Sequence, residues 1–190
     1  MAQMNVETII QLFINRVSMS HDQPAIHFKV SDSFESRTWS ELAVDVRQVA
    51  LGLIEAGVRP GDRVAQLSEN RYEWILADLA IQLAQAIHVP IHAPLSSAQV
   101  QFQITHSGAK AVFVSGAEQI SKLAATSDKL PSDLLVIRYE ASDIELPQTQ
   151  VDLQDWLSRA AGDATALEQA AMDEADSKAL ATILYTSGTT

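Results

Sequence analysis

Apolar positions recur at helical spacing from Val6 through Ile9, Ile10 and Phe13 to Val17, which predicts a first helix. After Pro24 the period changes. Ile26, Phe28 and Val30 alternate with polar or smaller residues, Ser31-Asp32-Ser33 is turn chemistry, and Phe34 to Trp39 returns, so the segment reads as a hairpin. A helix follows, with Leu42, Val46, Val49, Leu53 and Ile54 on one side. Ser40 is its expected N-cap, with Trp39 and Val44 as a hydrophobic staple, and Gly57 its expected end. Pro60-Gly61-Asp62 turns the chain into the apolar run Val64, Ala65, Leu67, with Asp62 in a turn role.

The same unit then recurs. Asn70 and Glu73 suggest a capping box before a stripe of Tyr72, Ile75, Leu76, Leu79 and Leu83. Ile87 to Ile91 reads as a buried strand, and Ser96 with Gln99 caps a helix that ends at Gly108. Ala111 to Val114 and Leu134 to Ile137 are further strands, with Leu123 on the helix between them. A Trp156-centred helix and an Ala-rich acidic stretch precede a closing strand, Ala179 to Tyr185. Short apolar strands alternating with helices indicate an α/β fold: a largely parallel sheet of about five strands with helices on both faces, plus the early β-hairpin.

Composition narrows the class. The chain has 190 residues, 47% hydrophobic and 19% charged, the balance of a globular protein. A chain this long buries roughly 70% of its unfolded surface and needs no disulfide or metal staple. It has no Cys, which removes disulfides, thiolate metal sites and thiol nucleophiles together. The net charge of −11 argues against nucleic acid as a partner. Residues 140–178 carry −8 of it, against −3 for residues 1–139, so an acidic connection of about 140–178 is expected to be solvated. No apolar run reaches the roughly 20 residues needed to span a bilayer. Met1 to Glu7 lacks the basic n-region of a signal peptide, so a cytoplasmic location is expected.

The chemistry gathers in the last residues. Tyr185-Thr186-Ser187-Gly188-Thr189-Thr190 follows a buried-type strand, and ligands of open α/β sheets bind at the carboxyl ends of strands. Hydroxyls and an approachable Gly backbone suit phosphate oxygens. The pattern is not a Walker A loop. On composition alone, a frayed polar terminus is the preferred reading of these six residues.

These six residues resemble the opening of the phosphate-binding signature of the AMP-forming adenylating enzymes, the acyl-CoA synthetase superfamily. There the motif continues with Gly, a variable residue, Pro, Lys and Gly. Leu180 to Leu184 resembles the strand leading into that loop. Gly57-Val58-Arg59-Pro60-Gly61-Asp62-Arg63-Val64-Ala65 resembles the family's early strand. Asn70-Arg71-Tyr72-Glu73-Trp74, Asp78-Leu79-Ala80, Val89-Pro90-Ile91, Leu95-Ser96 and Ser107-Gly108-Ala109-Lys110 resemble the long-chain fatty-acyl-CoA synthetase branch. The likeness spans roughly residues 20–190. The family often has Gly where Gln85 or Ala86 stands, and an aromatic residue near His92.

The resemblance implies that residues 1–190 are a partial N-terminal, AMP-binding domain of the adenylate-forming fold, without the C-terminal domain. The parent enzyme would activate a long-chain fatty acid with ATP and Mg2+ to acyl-AMP, then pass the acyl group to coenzyme A. AMP and pyrophosphate would be released. Thr186, Ser187, Gly188, Thr189 and Thr190 would form the first part of an ATP phosphate cradle, with a positioning role. The chain would hold no catalytic residue and no metal ligand, would bind no cofactor tightly by itself, and would be inactive alone. Peripheral membrane contact of the parent is compatible with this. Self-association of the fragment through its severed apolar face is a further expectation.

Other residues receive structural roles. His88 and His92 flank Pro90 and lack a third convergent ligand, so they read as edge-of-core histidines. His106 reads as a helix C-terminal residue. Trp39, Trp74 and Trp156 read as packing anchors. Two alternatives stay open: a fragment of a fatty-acyl-AMP ligase or another carboxylate–CoA ligase, and a non-catalytic α/β binding module.

Overall fold

A computed structural model describes residues 8–159, 164–173 and 176–186. Helix α1 (Ile9–Ser20) leads into the antiparallel hairpin β1 (Pro24–Val30) and β2 (Ser33–Thr38). Then come α2 (Trp39–Glu55), β3 (Arg63–Ser68), α3 (Tyr72–Leu83), β4 (Ile87–His92), α4 (Ser97–Ser107), β5 (Ala109–Val114) and α5 (Ala117–Ala124). The remainder is β6 (Leu135–Arg138), β7 (Gln150–Asp152), α6 (Leu153–Leu157) and α7 (Thr165–Asp173). Strands β3 to β7 form one parallel sheet in the order β4-β3-β5-β6-β7. The α/β class, the parallel sheet, the hairpin and the helical cover on both faces all follow the sequence pattern.

Strand alternation splits the core in two. Val64, Ala111, Phe113 and Ile137 point to one face, where α1, α2, α3, α6 and α7 cover them. Ala65, Leu67, Val89, Val112, Val114 and Val136 point to the other face, under α4 and α5. Both faces are covered, so the strands read as near-continuous apolar runs.

Local chemistry explains where the elements begin. Ser96 accepts a hydrogen bond from the Gln99 backbone N–H, and the Gln99 side chain returns to the Ser96 backbone, as its sequence predicts. For α2 the cap is Thr38, not Ser40. Glu41 stands three residues after Thr38 and its carboxylate accepts from the Thr38 N–H at 2.8 Å, whereas Ser40 has only Ala43 three residues on. No staple closes there either: Trp39 packs against Phe13, with ring centroids 6.2 Å apart, and Val44 is exposed. The Asn70–Glu73 box is likewise absent. Arg71 is the N-cap of α3 and its side chain makes no capping bond; instead it draws the Glu73 carboxylate to its own guanidinium at 2.6 Å.

Two strand expectations change. Residues 140–178 contribute β7, α6 and α7, and Leu153, Trp156 and Ala171 are buried in the core. Strand β7, with Val151 as its one apolar residue, is too short to show a period, yet it is the fifth strand. The expected closing strand at Ala179–Tyr185 is instead one parallel bridge, His88 to Thr182. The His88 N–H donates to the Ala181 carbonyl at 3.0 Å, and the Ile183 N–H donates to the His88 carbonyl at 2.9 Å. The next rung would need an N–H from residue 90, which is Pro, so the ladder stops.

Tyr72 is packed between the hairpin and α2. Its ring stacks on Phe28 at 4.8 Å, and its hydroxyl donates to Asp45 at 2.5 Å. Burial raises the Asp45 pKa, and the Tyr72 hydrogen bond offsets part of that rise. A folded pKa above the unfolded value means stability that is present at low pH and lost as pH rises through the folded pKa. The ionised Asp45 therefore weakens the fold at neutral pH. Asp45→Asn, which can still accept from Tyr72, is expected to melt no lower than the parent sequence near pH 7. That relative advantage should shrink as pH falls through the raised folded pKa and be gone below about pH 4, the ordinary carboxylate range. Melting curves across pH check this; a variant that is less stable near neutrality, by an amount unchanged in acid, would contradict it.

Candidate functional site

The terminal segment lies along the outer edge of β4. Beyond the His88 bridge, the Gln82 amide donates to the Ala181 carbonyl at 3.1 Å. Ile183 and Tyr185 pack against the α4–α5 side of the core, while Leu180 and Leu184 point outward and are exposed. Thr186 is exposed. Of the five residues of the expected phosphate cradle, Thr186 is placed. Ser187, Gly188, Thr189 and Thr190 lie outside the described residues.

Tyr185 is held by α4. Its hydroxyl is 2.7 Å from His106 Nδ1. The His106 ring stacks on Phe102, with centroids 5.1 Å apart and planes at 25°. Phe102 meets Tyr185 edge-on at 6.3 Å and 78°. The end of α4 is fixed in turn. Gly108 takes φ +65°, a left-handed conformation that Gly adopts without strain. Arg63 donates to the carbonyls of Ser107 at 2.8 Å and Gly108 at 2.9 Å, tying α4 to the start of β3. The sequence placed His106 at this helix end, and missed its partner 79 residues away.

On the opposite side of β4, His88 is buried and 2.8 Å from Asp78 through Nδ1. Trp74 meets its ring edge-on at 5.4 Å. Among the described residues, His88 Nε2 has no hydrogen-bond partner. His92 is exposed, so the two histidines do not converge. Among the described residues, no group of three or more His, Asp or Glu could hold a metal ion.

A polar cluster that the sequence did not announce sits where β3 and β5 end. These neighbouring strands feed crossovers in opposite directions along the sheet, which is the topological switch point. Glu69 accepts from the Ser115 hydroxyl and the Gln119 amide, each at 2.6 Å. Burial pushes its pKa up, but these two hydrogen bonds and Arg71 leave it lowered overall. Arg71 donates to Glu73 and Glu140, each at 2.6 Å, and lies over the ring of Tyr139. The bonds to Glu73 come first among the causes that raise the Arg71 pKa. Burial raises the Tyr139 pKa, and its hydroxyl accepts from the Gln66 amide at 2.6 Å. Every charged group in this cluster is hydrogen-bonded. It fastens the strand ends together; Glu69 faces the Ser115 hydroxyl, but its lowered pKa makes it a weak base and Ser115 is buried. The signal that could have found it is a polar residue directly after an apolar strand, as at Ser68-Glu69 and at Ser115.

Among the described residues, no helix is long and apolar enough to cross a membrane.

Comparison with known proteins adds what geometry alone does not. The family model described as AMP-binding enzyme matches residues 13–190. The long-chain-fatty-acid–CoA ligase FadD15 of Mycobacterium bovis is 34% identical over 154 residues, covering 80% of this chain and 24% of that protein. The rat long-chain-fatty-acid–CoA ligase ACSBG2 is 27% identical over 188 residues, covering 96% of this chain and 28% of that protein. The crystal structure of a fatty acyl-adenylate ligase from L. pneumophila, in complex with acyl adenylate and pyrophosphate, superimposes with a TM-score of 0.61 at 21% identity. It covers 81% of this chain and 25% of that one. At that identity the likeness speaks for the fold. The chain thus spans about a quarter of the length of these relatives.

Proposed function

The chain belongs to the AMP-binding enzyme family, and on that premise we propose that it is the N-terminal part of a long-chain fatty-acid–CoA ligase. The whole enzyme activates a fatty acid with ATP to acyl-AMP, releasing pyrophosphate, and then forms the CoA thioester, releasing AMP. The observation that carries this reading is the run Tyr185 to Thr190. It resembles the opening of the family's phosphate signature, and its described residues, Tyr185 and Thr186, follow a bridge at the edge of a parallel sheet, with Thr186 exposed. The long-chain ligases among the relatives support the fatty-acid substrate.

The donor set fits phosphate. Three Thr, one Ser and the Gly backbone offer hydroxyls and N–H groups to anionic oxygens and contain no carboxylate. Residues 186–190 would hold and orient the β- and γ-phosphates. Ser187 is a hydrogen-bonding group, not a nucleophile. No residue of this chain is assigned to magnesium, which when bound would offset the phosphate charge from elsewhere. Domain organisation follows the same proposal: residues 1–190 are a partial AMP-binding domain, in keeping with a span of about a quarter of the relatives' length.

A fatty-acyl-AMP ligase is the second reading, favoured by the fold relative that carries acyl adenylate and pyrophosphate. The protein translated through the full reading frame is expected to release AMP from ATP only with a long-chain fatty acid, and to yield acyl-CoA when coenzyme A is added. Acyl-adenylate that accumulates and ignores coenzyme A selects the second reading. No fatty-acid-dependent release of AMP refutes both.

A further inference from the structure

Tyr185 stands one residue before the exposed start of the candidate phosphate loop, and it is held by a side chain of another element. We propose that His106 is a positioning residue, setting the start of that loop through the Tyr185 hydroxyl; this rests on the function proposed above. The backbone hold on the terminal segment ends at Ile183, because Pro90 offers no N–H for a further rung. What steadies the next residues is the Tyr185 side chain, with its ring against the core and its hydroxyl 2.7 Å from His106 Nδ1.

His106 is itself braced. Phe102, one turn earlier on α4, stacks on it and meets Tyr185 edge-on. Phe102 is 55% exposed, so this aromatic cluster is where a surface Phe finds its contacts. The far side of the brace is the Arg63 guanidinium, which binds the Ser107 and Gly108 carbonyls. A continuous line of contacts therefore runs from the start of β3, through the end of α4, to Tyr185 and Thr186. Hydroxyls and N–H groups that cradle phosphate act only within hydrogen-bond reach, and a misplacement of about 1 Å can cost on the order of 100-fold in rate.

The test uses the enzyme translated through its full reading frame. Tyr185→Phe removes the hydroxyl. His106→Phe removes the ring nitrogen that shares this hydrogen bond while keeping a ring on Phe102. His106→Asn places an amide atom near the Nδ1 position. Each Phe variant is expected to raise KM for ATP roughly 10-fold, the scale of one hydrogen bond, with KM for the fatty acid unchanged. The double variant should be no worse than either single one, because both remove the same bond. His106→Asn should return KM for ATP to within about twofold of the unsubstituted enzyme, on the same hydrogen-bond scale.

An unchanged KM for ATP, an equal rise for both substrates, or additive effects would overturn the proposal. The tether is tested separately in the 190-residue chain, whose His106 imidazole nitrogen resonances should shift on Tyr185→Phe. No shift removes the tether and the proposal, and leaves the functional reading standing. An unsubstituted enzyme without fatty-acid-dependent AMP release defeats that reading, and the proposal with it.

Discussion

Replacing Gly52 with Ala is expected to destabilise the fold by about 2 kcal/mol, the middle of the range for overpacked cores. Intrinsic propensity argues the other way. Ala in a helix interior is better than Gly by roughly 1 kcal/mol. The reason for the reversal is Trp156. Gly52 lies within α2, and the indole of Trp156 sits directly on it. A Cβ built at position 52 would stand 2.7 Å from Trp156 Cε3, 2.8 Å from Cε2 and closer still to Cδ2. These are fused-ring atoms, so no flexible end can swing aside. The ring cannot simply withdraw, since Trp156 is buried and meets Phe113 edge-on at 6.5 Å.

Trp156→Ala should itself cost about 3–5 kcal/mol by opening a cavity. In that background the clash is gone, and Gly52→Ala should become neutral or stabilising by up to about 1 kcal/mol. This change of sign is a strong coupling between residues in contact. Urea denaturation of the four proteins reads it. A Gly52→Ala variant more stable than the unsubstituted chain would show that α2 and α6 do not pack as described.

The larger effect is on activity. The 190-residue chain by itself is expected to form no acyl-CoA above a no-protein control. The resemblance assigns the chemistry to groups beyond position 190: the loop Lys, the adenine-binding segment, the acid that holds magnesium, the ribose-binding Asp and the Lys of the C-terminal domain. Each preorganised electrostatic group is worth on the order of 10²–10³ in rate, and here they are absent together. The described residues place Thr186 at the edge of the sheet and hold a hydrogen-bonded polar cluster at the strand ends, in which Glu69 has a lowered pKa and is a weak base. Thioester formation is measured directly by separating acyl-CoA from the reaction. Product above the control would mean that a complete adenylating site exists within these residues.

The α/β plan was legible because the strands are apolar on both faces and the helices between them are not. The cap of α4 was legible too, since Ser96 and Gln99 form a reciprocal box and Gly108 takes a left-handed φ. The caps of α2 and α3 were not. Between Thr38 and Ser40 the choice depends on which residue finds a Glu three positions on. At α3, Arg71 competes for Glu73. The terminal strand failed for one residue: Pro90 is in the apolar run that predicted β4, and the same ring denies its neighbour a rung.

The candidate site was legible in a different way. Composition alone left Tyr185 to Thr190 as a polar end, and the ordered likeness to a family gave it a role. The Tyr185–His106 contact and the Glu69–Ser115 contact join residues 79 and 46 positions apart, and no local pattern encodes such pairs.

The central claim is that this chain begins an enzyme that adenylates a carboxylate. The most direct measurement is exchange of labelled pyrophosphate into ATP by the protein translated through its full reading frame. The account predicts exchange that requires ATP and a long-chain fatty acid and proceeds without coenzyme A, because the first step is reversible adenylation. Absence of exchange with every fatty acid tried, in a protein that is folded and binds ATP, would contradict it.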